Sequence, residues 1–188
     1  MSHEQIRDSI ERVKRYFGEH PEKALSTDKA ATASIDQGLR CKTTGPGGEA
    51  LITDMPKGIG GGASAPTPGW FLRASLAACD ATVIAMRAAQ LGVVLSKLEV
   101  TVDSVSDDRG ILGMGDGVLP GPQSMRIRVL IAADGTSPER LREIVSWAEA
   151  HSPVGDAVRR AIPLHVEVES HWPVTRGQGA LSQEAPNH

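Results

Sequence analysis

Residues 68–90 read PGWFLRASLAACDATVIAMRAAQ, and the fold turns on this stretch. Trp70, Phe71, Leu72, Leu76, Val83, Ile84 and Met86, set among many alanines, cover nearly the whole circumference of a helix. A helix that is apolar all round belongs in a core or an interface. Only Arg73, Asp80 and Arg87 carry charge, and their seven-residue spacing places them on one narrow stripe. The expectation is a wet stripe and an otherwise buried helix. Pro68 suits a first helical position, where its missing N–H costs nothing, and Gly92 suits the stop. The alanines let neighbouring backbones approach closely.

Working outward toward the N-terminus, Ile6, Ile10, Val13 and Phe17 recur at steps of four, three and four among charged residues. That spacing predicts an amphipathic helix over residues 4–18, ended by Gly18 and Pro21 and forming an appendage to the main body. Residues 31–53 read as a hairpin turning at Gly45-Pro46-Gly47-Gly48. The four glycines between Lys57 and Ser64 allow close backbone approach. Beyond the long helix, alternation predicts a strand within residues 93–105 and another over 125–131, joined by a long Gly-rich connection. Ser137-Pro138 opens a helix, residues 154–161 form a shorter one, and Leu164, Val166 and Val168 alternate as a last strand. Residues 1–29 thus read as a helical extension and connector, 30–170 as the main domain, and 171–188, rich in Pro, Gly, Gln and Ser, as a disordered tail. Strands and helices are partly segregated, so the fold class is α+β with an antiparallel sheet.

A chain of 188 residues with 40% apolar content builds one sizeable core. Its net charge of −3 offers no broad positive field, so nucleic acid is not an expected partner. No stretch is read as the roughly 20 apolar residues of a membrane span, and no secretory leader is read at the N-terminus. The expected location is the cytoplasm. Six histidines show no ligand spacing with acids or cysteines, so neither a metal nor a cofactor is expected. The Gly-rich run at 57–64 lacks the Gly-Lys-Ser/Thr ending of a phosphate loop. His151 beside Ser152 lacks a nucleophile elbow and marks a helix end instead.

Two cysteines, Cys41 and Cys79, exclude a disulfide framework and a zinc knuckle. On spacing alone the favoured reading of Cys79 is a small inert core hydrophobe. To act as a nucleophile it needs a cation that favours the thiolate, and Arg40 or Arg126, from another segment, is the candidate.

The run from Gly60 through Pro66-Thr67-Pro68 to Ala77-Ala78-Cys79 resembles the signature of the OsmC/Ohr family, in which a Gly-rich loop and a proline lead into the helix of the peroxidatic cysteine. The likeness continues in Ala88-Ala89-Gln90-Leu91-Gly92-Val93 and in His151-Ser152-Pro153-Val154, which is similar to the family's second cysteine motif. Together it spans about residues 31–168. The resemblance implies an antiparallel sheet wrapped around a long central buried helix, in an intertwined homodimer with sites built by both chains. It implies a bacterial oxidative-stress role: the peroxidatic cysteine reduces an organic hydroperoxide, a second cysteine resolves the sulfenic acid, and external dithiols restore the pair. It also implies an arginine on the N-terminal hairpin that holds the thiolate, and a glutamate that orients this arginine.

Cys79 stands at the peroxidatic position and Arg40 is the candidate arginine, but Ser152 occupies the resolving position and Gly69 the glutamate position. Three readings follow. Cys79 is resolved by an external thiol, in a one-cysteine peroxidase or reductase. Or the fold binds a small apolar or electrophilic ligand at the dimer interface without turnover. Or Cys41 resolves Cys79, which requires their Cα atoms to come within about 7 Å.

Overall fold

The computed structural model describes residues 2–170; the expected tail at 171–188 lies outside the described residues. Helix α1 spans His3–Glu19 and is opened by a capping box, with the Ser2 hydroxyl accepting from Gln5 and the Gln5 side chain accepting from Ser2. Strands β1 (Thr32–Gln37), β2 (Arg40–Thr44) and β3 (Ala50–Thr53) form one antiparallel sheet in that order. The expected hairpin is therefore the β2–β3 pair, and an additional strand joins it through the turn at Gly38, whose φ is +58°.

Helix α2 runs Pro68–Gln90, where the periodicity places it. The Thr67 hydroxyl accepts from the Trp70 amide, and Pro68 takes the first turn. At the far end Gly92, with φ +68°, lets the Gly92 and Val93 amides return to the Ala89 and Ala88 carbonyls. Strands β4 (Lys97–Val105) and β5 (Ser124–Ala132) make a second antiparallel sheet in continuous register from Lys97↔Ala132 to Val105↔Ser124. Helices α3 (Pro138–Ala150) and α4 (Pro153–Arg159) follow, each capped by the serine before its proline.

The core lies where α2 meets β4, β5 and α3. Ile84, Ala88, Ile144 and Ala148 are fully buried there, and Leu98, Val100, Val129 and Ile131 pack on them from the sheet. Ile84 and Ile144 are the largest fully buried apolar side chains here, and burying each contributes roughly 1.5–3 kcal/mol to holding the helix pair together.

Three expectations are corrected. The stripe of Arg73, Asp80 and Arg87 faces inward: Asp80 is 1% exposed, Arg73 bonds Ser104 on β4, and Arg87 lies 4.4 Å over the Trp147 ring on α3. The wet side instead carries Trp70, Leu72 and Met86, with Ser75, Ala78 and Thr82 between them. Heptad spacing finds a shared face but cannot say which way it points, and the aliphatic face of β4 and β5 took the side holding Leu76, Ile84 and Ala88. Secondly, α2 is long and apolar enough to cross a membrane by length and composition, contrary to the expectation that no stretch is. It packs on β4, α3, α1 and α4, with its three charged residues on the packed side.

Thirdly, residues 164–168 form no strand. Leu164, Val166 and Val168 are more than four-fifths exposed. Alternation prepares one apolar face, but a strand forms only when an edge accepts its hydrogen bonds, and among the described residues none does. Nor do β1–β3 wrap around α2 within one chain; every residue of β1 is exposed.

Candidate functional site

Cys79 sits midway along α2, part-buried rather than enclosed. Opposite it stands Ser152, 1% exposed, at the cap of α4. Two tight elements place that serine. The α3 helix ends at His151, whose ring stacks on Trp147 at 3.9 Å and whose Nδ1 lies 2.7 Å from the Trp147 carbonyl. Pro153 then starts α4 at once, so Ser152 is held between two helix ends. Its hydroxyl accepts from the Gly155 amide at 3.1 Å and donates to Cys79 Sγ at 3.3 Å. A Cβ at Gly155 would sit 3.0 Å from Ser152 Oγ, so a larger residue there would press on this hydroxyl.

Ser152 therefore occupies the place from which a second thiol would reach Cys79. The sequence identified both residues; the structure brings their side chains into contact across 73 positions. A hydroxyl can donate to a thiolate or to a sulfenate oxygen, yet cannot form a disulfide.

The other candidates lie elsewhere. Arg40, on β2, pairs with Asp36 on β1. Arg126 pairs with Asp103 on the outer face of the β4–β5 sheet. Among the described residues no arginine or lysine bonds Cys79, whose one side-chain hydrogen bond is that from Ser152. Cys41 lies in the β1–β3 sheet opposite Ile35 and Thr53, and both cysteines are free thiols. Gly69 is exposed in the first turn of α2, where an added Cβ would meet nothing nearer than 3.9 Å. No group of three His, Cys, Asp or Glu among the described residues is arranged to hold a metal.

One residue escaped the sequence reading. Asp54, 2% exposed, follows β3 and accepts hydrogen bonds from the amides of Met55, Gly62 and Ser64 and from the Ser64 hydroxyl. The Ser64 donors, helped by the other amides, outweigh burial and hold its carboxyl down at about 2. Asp54 thus clamps the glycine run that leads into α2. Gly61 passes so close that a Cβ would strike the Met55 carbonyl oxygen. The usable signal was an acid at a strand end with a serine ten residues on.

The model of the family described as OsmC-like protein matches residues 60–167, more than half of the chain. The chain belongs to the OsmC-like family. The match begins inside the Asp54-clamped loop and ends in the exposed segment after α4, so it contains Cys79 and Ser152 but not the β1–β3 sheet. Among solved structures, an OsmC-like protein from Mycoplasma pneumoniae is similar with a TM-score of 0.61 and 15% identity, covering 72% of this chain and 89% of that one. An OsmC-like protein from Vibrio cholerae gives 0.59 and 11%, over 70% and 94%. An organic hydroperoxide resistance protein from Elizabethkingia anophelis gives 0.54 and 16%, over 72% and 90%. At these identities the likeness speaks for the OsmC fold alone. Comparison with curated proteins gives no match.

Proposed function

We propose that this OsmC-family chain is a one-cysteine redox protein that reduces organic hydroperoxides through Cys79, with an external thiol as resolver. The observation that carries this reading is the 3.3 Å contact between the Cys79 sulfur and the buried Ser152 hydroxyl. In the first step the Cys79 thiolate attacks the terminal peroxide oxygen, the O–O bond breaks, and the alcohol leaves after taking a proton from water. Cys79 becomes a sulfenic acid. An external thiol then attacks that sulfur, water leaves, and a mixed disulfide forms. A second external thiol frees Cys79 and departs as the oxidised disulfide. Ser152 would hold the thiolate and then the sulfenate by donating its proton, without trapping either.

Limiting cumene hydroperoxide followed by intact-mass analysis tests the scheme. The expected product is one added oxygen on Cys79, removed by dithiothreitol, with peroxide consumed in step. An unreacted thiol overturns it and favours the second reading, a non-turnover ligand-binding member, for which the lack of a cation bonded to Cys79 among the described residues speaks. A Cys41–Cys79 bridge would make Cys41 the resolver.

We also propose that the working unit is an intertwined homodimer. Leu72 and Met86 on the open face of α2, Val13, Tyr16 and Phe17 on α1, and Leu164, Val166 and Val168 after α4 are all exposed. So much uncovered apolar surface, beside a β1 strand without a single covered residue, fits a second copy of the same chain. Such a copy would bring Arg40 or Cys41 of the partner toward Cys79.

A further inference from the structure

A cavity at the N-terminal turn of α2 is lined by residues that do not include Cys79. It measures about 760 Å³ and is bounded by the Asp54-clamped loop, β4 and the connection between β4 and β5. That volume is in the range of small-molecule sites. Its walls are apolar at Ile59, Ile111 and Leu112, each between two-fifths and three-fifths exposed. Apolar side chains left open around a concavity are what a hydrocarbon would cover.

One cation reaches this cavity without a carboxylate of its own. Arg73 lines it, donates to the Ser104 hydroxyl at 3.2 Å, and forms no ion pair among the described residues. The acids nearby are engaged or peripheral. Asp103 is paired with Arg126 and Arg128. Asp107 is gripped by Arg109 through contacts of 2.6–3.1 Å, which holds its carboxyl below the usual range. Asp108 is exposed. Gly69 stands one helical turn before Arg73, and a Cβ there would lie 3.9 Å from Arg73 Nη1. A carboxylate side chain at that position would therefore meet the guanidinium as an i,i+4 partner. Glycine leaves both the charge and the space open.

We propose that this cavity binds an apolar monocarboxylate, with Arg73 taking the carboxylate in the place that a residue 69 side chain would fill, and Ile59, Ile111 and Leu112 covering the hydrocarbon. The site goes beyond the thiol chemistry and does not include Cys79. An arginine–carboxylate pair at the edge of an apolar cavity gains from charge-assisted hydrogen bonds that an alcohol cannot match.

Calorimetric titration of the full chain with decanoate, decan-1-ol and decyltrimethylammonium, each below its micelle concentration, tests the proposal. Decanoate is expected to bind at least about tenfold tighter than the alcohol, as the charge-assisted pair requires. Arg73→Gln and, independently, Gly69→Glu should each bring decanoate down to the alcohol's level. The second variant guards against misfolding of the first, since position 69 is exposed and an acid in a first helical turn is favourable. Equal binding of decanoate and alcohol, tighter binding of the ammonium, indifference to both substitutions, or no binding of any probe would each overturn it. None of the probes is a peroxide, so failure here leaves the Cys79 scheme untouched, and failure of that scheme leaves this site untouched.

Discussion

Ser152 does two jobs with one hydroxyl, capping α4 through Gly155 and donating to Cys79. Because the oxygen already lies 3.3 Å from the sulfur, Ser152→Cys should place two thiols within reach of a bond. The variant is expected to lose two hydrogens' mass when a stoichiometric disulfide oxidant such as diamide takes up both hydrogens, and to show one reactive thiol, Cys41, where the parent shows two. A Ser152→Cys protein whose two sites stay separately alkylatable would refute that geometry. Asp54 offers a pH test. Its folded carboxyl is depressed to about 2, so its stabilisation is present above the unfolded value near 4 and is lost as pH falls from about 4 toward 2. Urea midpoints of the parent and Asp54→Asn should differ most at pH 6 and converge over that interval. A gap unchanged at pH 2.5 would assign the clamp to shape rather than charge.

At the scale of elements, α2 has two unlike sides. Ile84 is fully buried against α3 and the β4–β5 sheet, so Ile84→Ala is expected to cost about 2–5 kcal/mol in denaturant unfolding. Met86, two residues on, is 40% exposed, and Met86→Ala should cost much less when measured at protein concentrations that favour single chains. Equal losses would mean that both sides are packed before any partner arrives. The same two-sidedness explains why the helix was legible in outline and not in orientation. The caps Thr67 and Gly92 and the run between them define its length locally, within a residue. Which stripe turns inward depends on β4, where Ser104, 31 positions away, receives Arg73.

For the whole molecule, the uncovered surfaces on α1, α2 and the segment after α4 set the expectation of association. Light scattering after gel filtration should give twice the chain mass, and Met86→Glu should weaken the dimer at least about tenfold by placing a charge in its apolar seam. A monomeric parent would instead require another cover for these faces. Residues 164–168 illustrate the limit of a single chain's sequence. Their alternation is as clean as that of β4, yet β4 has β5 beside it in nine-residue register while 164–168 have no edge beside them among the described residues.

What the sequence alone determined is local or short in reach: the span of α2 from its proline and glycine ends, the β2–β3 turn, the serine cap of α3, and the presence of Cys79 and Ser152 in motifs similar to those of the OsmC/Ohr family. Those features depend on backbone sterics and on hydrogen bonds between residues three to five apart. Tertiary structure alone decided that Cys79 and Ser152 touch, that the charged stripe of α2 faces the sheet, that Asp54 holds the glycine loop, and that Arg73 is left facing an open cavity at Gly69. The contacts of Cys79 with Ser152 and of Arg73 with Ser104 join groups 73 and 31 positions apart, and the loop held by Asp54 and the cavity beside Arg73 depend likewise on how separate segments pack, not on any property of the residues read one after another.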